Sequence, residues 1–313
     1  ILEQALGPDH PDVADNLSSL AGLCLWLRRF DESEAYYRRA LAIQEKVLGP
    51  GHPRVAGLYD NIGLVFYYQD RFPEARVNTE KALAIRLKTL GEGHPNLARC
   101  YFALGTIDHR EGNYGQAESS YRKAMAIIEK TYGRDSAELP SVLGNVADIC
   151  LQQGRLSEAE ALHQRSLVIQ EKTYGAEHLR VAQTLCSLGY FLVMTGRVDE
   201  AGEVYARSLS IVEKKAGAES FRAAEALWGL ARCNRLKGKR EEALGCLSRA
   251  EALCEKEGEG DKLLWGLVNA ERAWHLFRGD KNLVKAEERF KKALELMGAK
   301  TSAASLEFRE PAR

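Results

Sequence analysis

The sequence has no excess of charge of either sign. Its 313 residues include 44 basic side chains (Lys and Arg) and 44 acidic ones (Asp and Glu). A protein that binds nucleic acid or an anionic membrane surface by electrostatic attraction normally carries a clear basic excess. The balance of charge therefore argues against both kinds of partner.

Long apolar runs are absent as well. No stretch approaches the roughly 18 consecutive apolar residues that a membrane-spanning helix needs, so we predict no membrane span. The sequence shows no signal peptide and no initiator Met. Residues 1–6 have the pattern of the end of a helix whose first part is missing, and we therefore expect the chain to be a fragment of a longer protein.

Sequence motifs of the common catalytic and nucleotide-binding types are missing too. The patterns GxSxG, HExxH, GxxxxGK[ST] and GxGxxG do not occur. Paired acids such as Glu241 and Glu242 stand at the beginning of a predicted helix, where they offset the positive end of its dipole. We predict from this that the chain is not an enzyme and needs no cofactor.

The cysteines form no CxxC pair and no cluster with metal-ligand spacing. Their number is odd, and several fall at apolar helix positions where a free thiol acts as a small hydrophobic group. Since structural disulfides belong to oxidising compartments, this pattern predicts a reducing, cytoplasmic location. The seven cysteines are Cys24, Cys100, Cys150, Cys186, Cys233, Cys246 and Cys254.

The most informative feature that is present is a pattern recurring every 42 residues. It is clearest at residues 13–53, which read VADNLSSLAGLCLWLRRFDESEAYYRRALAIQEKVLGPGHP. A fixed period of this size is the signature of a repeat array. Three positions stay small in every copy: Ala21, Gly63, Gly105, Ala147, Gly189 and Ala231; then Ser33, Ala75, Ala117, Ala159, Ala201 and Ala243; then Ala40, Ala82, Ala124, Ser166, Ser208 and Ala250.

Each copy predicts two helices joined by a short turn. In the first copy, Leu17, Ala21 and Cys24 fall at helical spacing, and Tyr37 and Ala40 continue the pattern after a polar break. Glycines recur where each helix should end, because a residue that tolerates positive φ is favoured there. They are Gly112, Gly154, Gly196 and Gly238 after first helices, and Gly49, Gly91, Gly133, Gly175 and Gly217 after second ones.

Small positions spaced twelve and then seven residues apart, with Tyr37, Tyr121 and Tyr205 between the second and third of them, resemble the tetratricopeptide repeat. The common form of that repeat has 34 residues. The longer form here, EAxxxYxRALxIxEKxLGxxHPxVA, is similar to the repeats of kinesin light chains, and residues 35–56 and 75–98 match it well. The resemblance covers nearly the whole chain. It implies an all-α fold, a right-handed superhelix of about seven helix pairs, and a non-catalytic role in protein binding.

The period predicts one tetratricopeptide repeat domain over residues 1–297, followed by a mobile tail at 298–313 that shows no periodicity. The seventh repeat is irregular, and we interpret it as a cap whose outer face meets water. The predicted repeats are 11–52, 53–94, 95–136, 137–178, 179–220, 221–262 and 263–297.

Three repeats depart from the pattern. The fourth has Ala137 and Glu138 in place of His-Pro. The sixth has Glu251 where the others have Leu or Met, and the seventh has Arg272 at an expected core position.

Histidines recur with the same period, and they are the most tempting set of metal ligands. One period separates successive layers of the array, so a single tetrahedral site could not collect all of them. Their spacing favours a structural role beside the first turn of the next helix. These residues are His10, His52, His94 and His178.

The resemblance to tetratricopeptide superhelices implies that the first helix of each pair lines a concave groove. The lining positions are those two and three residues before the small residue, and one, four and five after it. They hold aromatic rings, amides and arginines, a set that suits an extended peptide with acidic and aromatic residues. The groove residues predicted in this way are Trp26, Asp60, Asn61, Tyr67, Tyr68, Arg99, Phe102, His109, Arg110, Asn145, Asp148, Gln152, Tyr190, Trp228, Arg232 and Arg235.

Two details limit what the groove can be expected to bind. Kinesin light chains carry Asn two residues before the small residue in most repeats, whereas only Asn61 and Asn145 do so here, so the same cargo peptides are not expected. The pair Tyr67 and Tyr68 could stack on bases, but without surrounding basic residues groove lining or packing is the favoured interpretation.

Two functions from different classes remain open at this point. The chain is either a scaffold or adaptor that holds a segment of another protein, or a regulatory or sensor module of a larger protein whose catalytic part lies elsewhere. The sequence names neither the partner nor the oligomeric state.

Overall fold

The computed structural model describes residues 2–257, 262–279 and 282–297, and within these ranges every regular element is a helix. The predicted all-α fold of consecutive helix pairs is confirmed. The predicted tail at 298–313 lies outside the described residues. The helices are α1 (Leu2–Leu6), α2 (Pro11–Trp26), α3 (Phe30–Leu48), α4 (Pro53–Tyr68), α5 (Phe72–Leu90), α6 (Asn96–Arg110), α7 (Tyr114–Tyr132), α8 (Leu139–Gln152), α9 (Leu156–Tyr174), α10 (Leu179–Met194), α11 (Val198–Ala216), α12 (Ala224–Leu236), α13 (Arg240–Glu257), α14 (Lys262–Arg278) and α15 (Leu283–Met297), with a short 3-10 helix at Phe221–Ala223 before α12.

The helices form two compact units, Ile1–Ile149 and Cys150–Arg313. In the first unit α2 packs on α3, α4 on α5 and α6 on α7, and α3 and α5 also contact the first helix of the following pair. In the second unit α10 packs on α11, α12 on α13 and α14 on α15, with α11 and α13 contacting the next pair in the same way. Each pair in a unit therefore shares its core with its neighbours.

The repeated small residues lie where paired helices approach most closely. All of those on the first helices are buried. At Gly105 and Gly189, a tyrosine ring from the paired helix fills the space that a side chain at the glycine would occupy. A Cβ atom at Gly105 would lie 2.8 Å from the Tyr121 ring, and one at Gly189 would lie 2.7 Å from the Tyr205 ring. The close approach therefore depends on glycine at these two positions.

We expect Gly105→Leu to lower the free energy of unfolding by ~1–3 kcal/mol, since the new side chain would overpack the interface between α6 and α7. Gly57→Leu is a suitable control, because a Cβ at Gly57 meets no atom within 4 Å. Thermal unfolding followed by circular dichroism compares the two. An unchanged unfolding curve for the Gly105 variant would show that the packing position is wrongly assigned.

The periodic histidines cap the first helices. In each of them Nδ1 accepts a hydrogen bond from the backbone N–H two residues later, at 3.1 to 3.2 Å. This satisfies one of the N–H groups that a helix leaves unpaired at its beginning. The predicted structural role is thus confirmed for the set His10, His52, His94 and His178.

In the fourth and sixth repeats, a serine stands in place of the capping histidine. Ser136 Oγ accepts from the N–H of Glu138 at 3.2 Å, and Ser220 Oγ accepts from the N–H of Arg222 at 3.4 Å. The assignment of the His-Pro position in the fourth repeat to Ala137 and Glu138 is therefore wrong by one residue. The hydroxyl of Ser136 performs the same capping function as the imidazole.

The turns between paired helices require a left-handed backbone. The predicted glycines have positive φ, for example 80° at Gly112, while the first two repeats place Arg28 at 59° and Asp70 at 57°. Side chains other than glycine are disfavoured in this region by contact between Cβ and the backbone. The first two turns are therefore more strained than the later ones.

Gly112→Ala should lower the free energy of unfolding by ~1–2 kcal/mol through backbone conformation alone. A Cβ at Gly112 meets no atom within 4 Å, so no steric clash contributes. Gly57→Ala, in the open interior of α4, should instead raise the stability by ~0.5–1 kcal/mol. Urea unfolding of both variants checks the opposite signs, and two effects of the same sign would contradict the assignment.

The irregular residues of the sixth and seventh repeats are partners of one another. Glu251 Oε1 lies 3.3 Å from Arg289 Nη1 and 3.8 Å from Arg272 Nε, and Arg289 also donates to Asn269 Oδ1 at 2.7 Å. Two departures from the apolar pattern, Glu251 and Arg272, thus compensate each other. The polar residues of the seventh repeat face the sixth repeat as well as water.

Candidate binding surface on the first helices

In the first unit, a row of aromatic rings lies where the first helices end and the second helices begin. Phe30 stacks on Tyr68 with ring centroids 6.3 Å apart, Tyr68 contacts Tyr67 at 5.7 Å, and Tyr67 contacts Phe72 at 5.9 Å. Arg110 lies over the rings of Tyr67 and Phe72 at 5.8 and 5.7 Å. We call these residues, together with Arg28 over Phe30 at 5.7 Å, the aromatic row.

The most exposed ring on a first helix is Trp26, whose side chain is 82% exposed at the end of α2. Tyr68 is 52% exposed, and Arg110 is exposed while bonding to Asp70 Oδ1 at 3.0 Å. Burial raises the pKa of Tyr67, and nearby Arg110 moderates the effect. This end of α2 and α4 therefore offers apolar surface flanked by cations.

Asp60 and Arg99 are both predicted to line the groove, and the structure separates their roles. Asp60 is buried and forms an ion pair with Arg86 at 2.6 Å, while Arg86 also donates to Cys100 Sγ at 2.8 Å. Arg99 is exposed and reaches the same carboxylate only at 3.8 Å. Arg99 is thus accessible, whereas Asp60 is already neutralised. Asn61, next to Asp60, is half-buried.

The middle of α6 contacts α7 through polar and aromatic groups. Tyr121 donates a hydrogen bond to Thr106 Oγ1 at 3.2 Å, and its ring lies 5.5 Å from that of Phe102. Burial raises the pKa of Tyr121 to about 12. At the end of α6, His109 packs edge-on against Tyr114 at 5.5 Å, and burial, together with Arg110, lowers its pKa.

Two predicted residues lie on α8 within the first unit. Asn145 and Asp148 are both half-buried, and burial raises the pKa of Asp148 to about 6. Asp148 makes no hydrogen bond or ion pair to any residue in the described ranges. It occupies the position one residue after the small residue Ala147, which corresponds to Thr106 in the preceding repeat.

In the second unit, Arg232 lies between two aromatic rings. Its guanidinium carbon is 5.7 Å from the Tyr190 centroid and 5.5 Å from the Trp228 centroid, and Nη2 contacts Met194 Sδ at 3.5 Å. No carboxylate among the described residues pairs with Arg232. The buried indole N–H of Trp228 likewise has no acceptor there.

Arg235, one turn further along α12, has a different environment. It forms an ion pair with Glu271 of α14, and the two side chains are only 8% and 3% exposed. Its guanidinium carbon also lies 4.5 Å from the Trp274 ring. Arg235 is therefore already paired, while Arg232 remains available. Gln152, at the end of α8, is exposed.

Sequence reasoning missed Phe30 and Phe72, although both belong to the aromatic row. Both begin a second helix, 42 residues apart, and Tyr114 follows one period later. This recurrence is the available signal, but the polar residues around it indicate only a break between helices. Tyr121 is recognisable in sequence only as part of the repeat pattern.

No group of three or more potential metal ligands occurs among the described residues. The helices in the described ranges also include none long and apolar enough to cross a membrane. The described cysteines are all free thiols.

The chain belongs to the tetratricopeptide repeat family. The family profile matches residues 12–88, 55–130, 138–190 and 180–256, which together cover most of the chain. No curated protein sequence matches it.

Solved structures share the fold at low sequence identity. A putative kinesin light chain with nearly identical repeats from Podosopora anserina is 23% identical, with a TM-score of 0.56 over 66% of this chain and 97% of that one. The quorum sensor NprR from B. thuringiensis, in its apo form, is 17% identical, with a TM-score of 0.71 over 90% and 75%. The Rap conjugation gene regulator of plasmid pLS20, in complex with the Phr* peptide, is 17% identical, with a TM-score of 0.61 over 88% and 71%.

Proposed function

We propose that this chain is a non-catalytic scaffold or adaptor that binds a peptide segment of a partner protein along its first helices. The observation that carries the proposal is the environment of Arg232. A cation held against Tyr190 and Trp228, without a carboxylate partner in the described part of the chain, is suited to a ligand that brings its own carboxylate.

The partner segment is expected to contain acidic and aromatic or apolar residues. Arg232 would pair with an acidic side chain, and exposed rings such as Trp26 and Tyr68 would contact apolar ones. The amides of Asn61 and Asn145 would hold the peptide backbone, whatever the charge of the ligand.

The Rap regulator that shares this fold at 17% identity was solved in complex with a peptide, which is consistent with the proposed function. The free cysteines of the described chain are consistent with a partner in the reducing cytoplasm.

A second candidate is a regulatory or sensor module of a larger protein. It is favoured by the likeness to the quorum sensor NprR, of which the match leaves a quarter uncovered. A domain with catalytic motifs in the same polypeptide would favour this second function, and a coiled coil there would favour the adaptor.

Arg232→Gln tests the proposed function. Peptides would first be selected by the wild-type chain from a random twelve-residue library displayed on phage, and their affinities measured by fluorescence anisotropy. Loss of a charge-assisted hydrogen bond of ~1.5–3 kcal/mol should weaken binding of acidic peptides roughly ten- to hundredfold. Peptides with Ala in place of the acidic residue should bind both proteins alike.

Arg222→Gln is the matched control, because Arg222 is exposed and its side chain has no partner among the described residues. Asn61→Ala should weaken acidic and neutral peptides equally. Equal affinity of wild type and the Arg232 variant for acidic peptides would contradict the role of Arg232. The absence of any selected peptide would contradict peptide binding itself.

A further inference from the structure

Buried or half-buried carboxylates on the first helices are otherwise neutralised by arginine. Asp60 pairs with Arg86 at 2.6 Å, and Asp108 with Arg76 at 2.7 Å. Glu271 pairs with Arg235. Since a desolvated carboxylate without a partner is costly, such pairing is the rule in proteins. Among such carboxylates on the described first helices, Asp148 is the exception, because it has no arginine partner.

No cation among the described residues forms an ion pair with Asp148, and burial is the cause that raises the pKa of its carboxyl. The Tyr121 hydroxyl donates its hydrogen bond to Thr106 Oγ1 and so does not serve Asp148. Burial is the main cause that raises the pKa of Tyr121, and the charge of Asp148 adds to it. Asp148 also lies in the interior of α8, where no free backbone N–H is available to it.

Asp148 occupies one of the repeat positions that we predict to line the groove. The same position holds Thr106 in the third repeat, Tyr190 in the fifth and Arg232 in the sixth. Asp148 is half-buried and not fully enclosed, so a ligand can reach its carboxylate.

We propose that Asp148 is the binding site for a cationic group of the bound peptide, the ammonium of a lysine or the guanidinium of an arginine. The inference rests on the proposed function. It assigns a positively charged ligand group to Asp148, whereas the group proposed for Arg232 is negatively charged. An organic cation is favoured over a metal ion because one carboxylate supplies too few ligands, and the described residues hold no group of three. A partly desolvated site makes the ion pair stronger than on an open surface.

The test compares selections from the random twelve-residue phage library with the wild-type chain and with Asp148→Asn. Wild type should enrich peptides with Lys or Arg at one position, and the variant should not. A selected peptide is then synthesised with lysine and with the neutral isostere norleucine at that position. Asp148→Asn should weaken the lysine peptide roughly tenfold or more, and leave the norleucine peptide unchanged.

Glu80→Gln is the control, since Glu80 is an exposed carboxylate on the second helix α5. It should leave both peptides unaffected. Asn61→Ala should weaken both, which shows that the norleucine peptide still occupies the same surface.

Equal affinity of wild type and Asp148→Asn for the lysine peptide would overturn the inference, as would enrichment of peptides that lack a cation. In both cases peptide binding itself would still stand. If the wild-type chain enriches no peptide at all, the proposed function fails and this inference fails with it.

Discussion

Replacing Arg235 with Met is expected to lower the free energy of unfolding by about 3–5 kcal/mol. The reason is Glu271, whose side chain is 3% exposed and faces Arg235. Removal of the arginine leaves a buried carboxylate without its counter-ion. The loss of the contact between the guanidinium and the Trp274 ring, 4.5 Å from its carbon, adds to the cost.

Urea unfolding followed by circular dichroism measures this effect. The double variant Arg235→Met, Glu271→Met should recover most of the stability, because an apolar pair of similar volume can replace a buried ion pair without loss. Lys239→Gln removes an exposed ion pair with Glu242 and should cost only about 0–1 kcal/mol. A double variant as unstable as the single one would mean that Arg235 acts through packing and not through charge.

Much of the fold follows from the sequence because each repeat carries the same pattern. One alanine in a helix indicates little, but small residues at Ala21, Gly63 and Gly105 with a fixed period indicate a close approach of paired helices. The histidine caps are predictable for the same reason. The cap at Ser136 is harder to find, because the repeat conserves a hydrogen-bond acceptor at that position and not a residue type.

Pairings specific to one repeat cannot be predicted in this way. Arg235 and Arg232 lie on the same face of α12, and the sequence pattern predicts that both line the groove. What separates them is Glu271 and Trp274, on a helix of the next pair. Both stand at positions where the residue type differs from repeat to repeat. The period predicts which positions face a neighbour, but the neighbour's side chain decides whether a charge is free.

The candidate binding residues likewise include some whose environment the sequence predicts and some whose environment it does not. The register of the first helices is enough to select Trp26, Tyr190 and Arg232, which the structure leaves accessible or unpaired. The same register also selects Asp60, which is buried against Arg86. Arg86 lies on a second helix, 26 residues along the chain from Asp60, and a pattern of single positions carries no information about such a pair.

Asp148→Asn is expected to stabilise the protein at neutral pH by up to ~3 kcal/mol. Burial raises the pKa of Asp148 from 3.8 to about 6, and a difference of one in pKa corresponds to ~1.4 kcal/mol. Because the folded state holds the proton more tightly than the unfolded state, the stability that this group contributes is fully present below about pH 4. It is lost as the pH rises through about 6. An amide has no such proton and avoids the cost of a desolvated charge.

The difference in stability between Asp148→Asn and wild type should therefore be small at about pH 4. It should grow as the pH rises through about 6, until the carboxyl is fully ionised in the folded state. Urea unfolding at a series of pH values measures it, and Glu80→Gln, at an exposed carboxylate, should show no such dependence. A variant that is less stable than wild type at neutral pH would mean that Asp148 has a stabilising partner. That outcome would remove the physical reason for assigning a cationic ligand to it, since the carboxylate would then already be neutralised within the protein.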